Sequence, residues 1–216
     1  MQNSPELEFF YDCSSPWTYF AFTRIIPMAS ELGVSVRWRP ILVGGVFNEV
    51  NKELYSQRED AFTNPGNKRK MDYYLKDLQD WAQLCGVTAV MPPGHPMSAV
   101  KAMRGCFYAN EQGLLVPYSR AVLATYWGGE NPDISDDEVL AGICRQVGLD
   151  TAGFFTAIND QQDTDQLRAN TDEEIARGAF GSPTIFINGN DMYFGNDRLE
   201  LVQARLRQLI SRRIPG

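Results

Sequence analysis

The chain has one histidine, His95, and four cysteines, Cys13, Cys85, Cys106 and Cys144, none of them in a C-x-x-C pair or clustered with that histidine. This scarcity excludes a His/Cys zinc site and a dithiol redox couple, and unpaired thiols suit a reducing compartment. Apolar runs are short: no stretch approaches the roughly 20 residues that span a bilayer. Met1-Gln2-Asn3-Ser4-Pro5-Glu6 lacks the basic-then-apolar order of an export signal, so the expected location is cytoplasmic, with no membrane partner. Positive charge is in the minority, 20 Lys and Arg against 27 Asp and Glu, for a net charge of -7. No nucleic-acid partner is expected from such a surface. Internal repeats and low-complexity tracts are missing too.

What is present is enough for a large core. With 216 residues and 44% hydrophobic content, the chain needs no disulfide staples, and its length fits one or two domains. Leu7-Glu8-Phe9-Phe10-Tyr11-Asp12 reads as a strand. Pro16 to Leu32 follows with apolar residues at helical spacing, an internal Pro27 expected to kink it, and Gly33 as its stop. Val34, Val36 and Trp38 alternate with Ser35, Arg37 and Arg39 in a second strand that ends at Pro40. A strand-helix-strand order of this length implies parallel pairing with a right-handed crossover.

Strand signals then vanish for well over a hundred residues. Met71, Tyr74, Leu75, Leu78, Trp81, Ala82 and Cys85 repeat at helical spacing before Gly86, and further helices are expected at Ser98–Asn110, Pro117–Trp127, Ser135–Val147 and Thr164–Gly178. Ser135-x-x-Glu138 has the form of a capping box. Strands return with Thr184-Ile185-Phe186-Ile187 and Met192-Tyr193-Phe194 around the hairpin signal Asn188-Gly189, and a final amphipathic helix begins with Asn196 or Asp197 as its cap. Neither end of the chain could bury its apolar face alone. The expected fold is therefore α/β and thioredoxin-like, residues 1–40 and 179–216 forming one domain and 41–178 a large all-helical insertion.

Two short segments carry the chemistry. Ser15-Pro16 sits where a strand passes into a helix, a preferred N-cap and N1 pair, and a helix N-terminus presents unpaired N–H groups and partial positive charge to an anion. A thiol moved there from a pKa of ~8.5 to about 6.5 would become mostly thiolate, about 2.7 kcal/mol of differential stabilisation. Far along the chain, Gly181-Ser182-Pro183-Thr184 opens a strand.

Together with Phe10-Tyr11-Asp12 and Phe194-Gly195-Asn196-Asp197-Arg198-Leu199, these motifs resemble the 2-hydroxychromene-2-carboxylate isomerases, which stand with kappa-class glutathione transferases in the DsbA-like thioredoxin superfamily. The likeness covers essentially the whole chain. It implies that Ser15 holds the thiol of bound glutathione, where disulfide oxidoreductases keep their attacking cysteine, and that Thr18 replaces the resolving cysteine. It also implies a cis Pro183, pairing of the Ser182-Pro183 backbone with the tripeptide, and a γ-glutamyl end held by Asn196 and Asp197. Lys70 matches the family's active-site lysine, and Asn64 the asparagine ahead of it. The implied protein is a dimeric enzyme that uses glutathione as cofactor on a small aromatic carboxylate, through transient thiol addition and elimination. A kappa-like transferase or peroxidase, or an atypical thiol oxidoreductase working through Cys13, are the alternatives.

Bland readings stand beside these. Ser15 is also an ordinary cap, Cys13 an apolar filler in the turn or a reactive thiol, and His95 a loop residue in Pro93-Gly94-His95-Pro96. Lys68-Arg69-Lys70 reads as a solvated helix start or as cations for an anionic ligand, Tyr73, Tyr74 and Trp81 as helix core, and Asp197 as cap, ligand or both.

Overall fold

The computed structural model describes residues 4–50 and 65–212. Four strands, β1 (Leu7–Tyr11), β2 (Val36–Pro40), β3 (Thr184–Ile187) and β4 (Asp191–Phe194), form one sheet in the order β2-β1-β3-β4. β1 pairs parallel with β2 and antiparallel with β3, and β3 antiparallel with β4. Both ends of the chain thus build a single sheet, with Leu7 opposite Ile187 across 180 residues of sequence. The hairpin forms at Asn188-Gly189, both at positive φ (51° and 83°), as the Asn-Gly signal demands.

All of β1 is buried because helices cover both of its faces. On one side Leu7, Phe9 and Tyr11 join Phe22 and Ile25 of α1 (Pro16–Leu32), and Trp38 packs tilted on Phe22 at 4.9 Å. The opposite side gathers Phe10, Ile41, Val46, Ala179 and Phe186. α1 stops at Gly33, whose φ of 64° is a left-handed cap, and it runs through Pro27, which faces solvent.

The middle of the chain is helical: α2 (Val43–Val50), α3 (Lys68–Cys85), α4 (Val100–Glu111), α5 (Leu115–Trp127), α6 (Asp137–Val147), α7 (Thr151–Ile158) and α8 (Gln161–Ala176). α4 and α7 meet at Gly105, where an added Cβ would lie 2.2 Å from Phe154 Cε2 and 2.5 Å from the Tyr118 hydroxyl. α8 reaches the sheet: Asn170 Nδ2 donates to the Pro40 carbonyl (2.9 Å), and Arg177 just beyond it bonds the buried Glu8 (2.6 Å). Loops carry α5 onto the β1–α1 connection, since Trp127 Nε1 donates to the Cys13 carbonyl (2.9 Å) and Tyr11 shares a hydroxyl bond with Ser119 (2.8 Å).

Several sequence expectations are corrected. Asp136, not Ser135, caps α6, accepting from the Glu138 N–H at 2.8 Å, because the Ser135 N–H is drawn back to Asp133. The helix expected from Thr164 is α8, which begins earlier, at Gln161 with Asp160 as its cap, and it is preceded by α7, capped by Asp150, which was not expected. α9 (Leu199–Ser211) follows a 3₁₀ turn, Asn196–Arg198, so neither Asn196 nor Asp197 caps it. Tyr73 is 66% exposed and not core, whereas Tyr74 contacts Trp17 edge-on at 5.6 Å.

Candidate active site

The C-terminal ends of β1 and β4 and the start of β3 lie along one edge of the sheet, and the first turn of α1 is laid across it. Ser15 has extended backbone (φ -101°, ψ 122°) and its Oγ accepts the Thr18 N–H at 3.3 Å, the expected N-cap. Its hydroxyl donates to the Ser182 carbonyl at 3.0 Å. Thr18 Oγ1 and Ser182 Oγ are 2.8 Å apart, and the Asp12 N–H donates to Ser182 Oγ at 3.0 Å. Ser15, Thr18 and Ser182 are all buried, and the Ser182–Pro183 bond is cis. The two sequence motifs therefore touch through hydroxyls and backbone.

The distal motif joins the same edge, with the Gly195 N–H donating to the Pro183 carbonyl at 3.0 Å. Gly195 has φ 101°, a conformation that side chains rarely adopt. Asn196 is buried: its carbonyl accepts from Arg24 Nη1 (2.8 Å), and its Nδ2 has no partner among the described residues. Asp197 is half-exposed and, among the described residues, bonds only the adjacent Arg198 guanidinium (2.6 Å). Arg24 also pairs with Glu200 and lies over the Trp81 ring at 4.9 Å, so α1 braces the turn that carries Asn196. Lys70 is exposed in the first turn of α3, one turn before Tyr74 and without an ion-pair partner among the described residues. The structure brings its helix to Trp17 but forms no bond between Lys70 and the hydroxyls of the site. Asn64 lies outside the described residues.

Burial holds all four thiols toward the protonated form. Burial pushes the Cys13 thiol well up, and the charge of Asp12 adds to the effect. Cys106 and Cys144 are pushed up to about 11, again by burial. Cys13 itself is buried in the turn before α1. His95 Nδ1 lies 2.9 Å from the Tyr126 hydroxyl, and burial lowers its pKa.

Sequence reading missed three participants. Asp12 is buried, and its carboxylate accepts the N–H groups of Ser14 and Val43 (2.8 Å each), fixing the turn before Ser15. Its pKa is raised by burial despite those bonds. Glu174 is fully buried, and neither carboxylate oxygen has a hydrogen-bond partner among the described residues, the neighbouring Thr184 hydroxyl donating to the Gly181 carbonyl (2.7 Å). Burial raises its pKa to about 8. Trp127 is the third. A helical hydroxyl three residues after a cap, as in Ser15 and Thr18, was the available signal for the Thr18–Ser182 contact; burial of Glu174 leaves no signal in residue type.

A mixed four-stranded sheet with a helix-capped hydroxyl facing a cis-proline loop defines a thioredoxin-like protein. A family model described as a DSBA-like thioredoxin domain matches residues 6–207, and the chain belongs to that family. It is 28% identical to 2-hydroxychromene-2-carboxylate isomerase of Pseudomonas putida, over 94% of this chain and 95% of that one. A solved selenomethionine structure of a 2-hydroxychromene-2-carboxylate isomerase superposes with a TM-score of 0.79 at 26% identity, covering 95% and 96% of the two chains. Glutathione S-transferase kappa 1 of Caenorhabditis elegans is 24% identical over 96% of this chain and 93% of that protein. These relatives are enzymes.

Proposed function

We propose that this protein is a glutathione-dependent isomerase acting on an aromatic carboxylate of the 2-hydroxychromene-2-carboxylate type. The observation that carries the reading is the single proton of Ser15. Its oxygen already accepts from Thr18, so the hydroxyl donates either to the Ser182 carbonyl or to a ligand, not to both. A neutral hydrogen bond contributes about 0.5 to 1.5 kcal/mol and one to a charged group about 1.5 to 3 kcal/mol. A thiolate therefore wins the proton from the carbonyl, and a neutral thiol, a weak acceptor, does not. Such a site favours the ionised form of a bound thiol, helped by the helix N-terminus.

The other residues fit glutathione. The buried Nδ2 of Asn196, without a partner among the described residues, offers a donor for a carboxylate, and Asp197, tied among those residues only to Arg198 at the surface, is open to the charged amino end. Residues Ser182 and Pro183 would meet the tripeptide backbone, with Lys70 at the start of α3 a further contact, and Asn64, outside the described residues, belongs to the proposed set through the family resemblance alone. Glutathione bound there would supply a thiolate that adds to a conjugated carbon of the substrate and is eliminated after isomerisation. Ser15 and the first N–H groups of α1 hold negative charge on sulfur, and the α5–Trp127 contact with the Cys13 carbonyl keeps their turn in place. A cytoplasmic homodimer is part of this reading, and four free cysteines, three of them buried, accord with that compartment.

Calorimetry with glutathione, followed by NMR of 2-hydroxychromene-2-carboxylate incubated with protein and glutathione, tests the proposal. The expected result is saturable binding, formation of the ring-opened isomer and full recovery of glutathione. Consumption of the thiol would move the protein to the kappa-like transferases, and absence of binding would remove glutathione from the site.

A further inference from the structure

Ser15 can direct its proton only as well as the Ser182 carbonyl is placed, and that carbonyl belongs to a loop 167 residues away in sequence. Two contacts fix the Ser182 side chain: the Asp12 N–H (3.0 Å) and the Thr18 hydroxyl (2.8 Å). Together with the Thr18 N–H on Ser15 Oγ, they close a ring that runs from Ser15 to Thr18, across to Ser182, and back to Ser15. We propose that Thr18 and Ser182 are positioning residues, a hydroxyl clasp that holds the cis-proline loop where the Ser15 proton can pass between the Ser182 carbonyl and a bound thiolate. The inference rests on the glutathione reading above.

A clasp made for packing alone would not need oxygen. Burying two hydroxyls costs free energy that an apolar pair of the same shape avoids, and this pair is not even fully used. Thr18 and Ser182 own two hydroxyl protons, yet only one lies between them, and the other has no acceptor among the described residues. Ser182 Oγ in turn accepts from Asp12, whose carboxylate orders Ser14, so the clasp extends to the turn that precedes Ser15. Polar groups are kept here at the one point where two distant segments must agree in position within a hydrogen-bond length.

The test uses Thr18→Val, which keeps the branched shape, Ser182→Ala, the double variant and Thr18→Ser. Full-length proteins are compared by the pH profile of isomerase kcat/KM, by absorbance titration of the bound glutathione thiolate, and by thermal melts. Each single variant is expected to lower kcat/KM about threefold to tenfold and to move the thiol pKa upward. The double variant should lose no more than the worse single one, because the ring is already open. Thr18→Ser should restore the wild-type profile. Melts that fall while the pH profile and thiol titration stay unchanged would overturn the inference, as would a Thr18→Ser protein no better than Thr18→Val. Should Thr18→Val fail to fold, Ser182→Ala carries the same readouts. Wild type that shows no thiolate signal overturns the glutathione reading and this inference with it; a normal wild type with unmoved variants overturns the inference alone.

Discussion

Glu174→Gln should stabilise the protein at neutral pH and leave it unchanged near pH 4. The folded protein holds this carboxyl at about 8, against 4.5 as the ordinary value: burial drives the rise, the adjacent Thr184 hydroxyl opposes it, the nearby Asp12 charge adds to it, and the Arg177 charge opposes it more weakly. Below 4.5 both folded and unfolded chains carry the proton, and the group contributes no pH dependence. As pH rises from 4.5 toward 8 the unfolded chain releases it while the folded chain retains it, so stability falls by about 1.4 kcal/mol per pH unit. At pH 7 the accumulated loss is about 3 kcal/mol, a large part of the 5 to 15 kcal/mol typical of a domain. Glutamine keeps the shape and cannot ionise. Asp12, whose pKa is also raised, adds a slope of the same sign to both proteins and largely cancels in the difference. Urea denaturation followed by tryptophan fluorescence at pH 4.5, 6, 7 and 8.5 gives the two curves. Parallel curves would refute the reasoning, because they would mean that Glu174 ionises as readily in the fold as in the unfolded chain.

Other outcomes follow from single contacts. Ser15→Ala removes a cap and should lower stability by ~1 kcal/mol, while raising the pKa of bound glutathione in an absorbance titration. Asp197→Ala should leave thermal melts unmoved, since the residue caps nothing and its exposed ion pair with Arg198 is worth little, but weaken glutathione binding about tenfold in calorimetry. Gly105→Ala places a Cβ inside the Phe154 and Tyr118 contacts and should cost about 1 to 3 kcal/mol in urea melts.

Much of the frame was legible because local signals and tertiary packing agree there. Ser15-Pro16 and Gly33 bound α1, and Asn188-Gly189 turns the β3–β4 hairpin, because cap and turn chemistry act within a few residues. The cis Ser182–Pro183 bond came from the resemblance instead. Legibility failed where several candidate caps compete: Ser135 lost to Asp136, and Asp160 began α8 four residues before Thr164. Asn196 and Asp197 looked like caps, but a 3₁₀ turn inserted before α9 directs Asn196 inward. Tyr73 was expected inside because helical spacing marks a stripe, not which edge of the stripe a neighbour covers. For the site, the members on the sheet edge were readable and their mutual bonds were not, since a bond between residues 15 and 182 depends on the whole sheet being assembled.

That assembly also imposes a schedule on synthesis. β1 and β2 leave the ribosome early, but the antiparallel partner of β1 is β3, which starts at Thr184, far beyond the end of β2 at Pro40. At about 5 to 20 residues per second, translation leaves the inner edge of β1 unpaired for on the order of ten seconds, while the helices between are made. Apolar Leu7, Phe9 and Phe10 sit on that waiting strand, so the nascent chain passes through an aggregation-prone interval that the finished protein no longer displays.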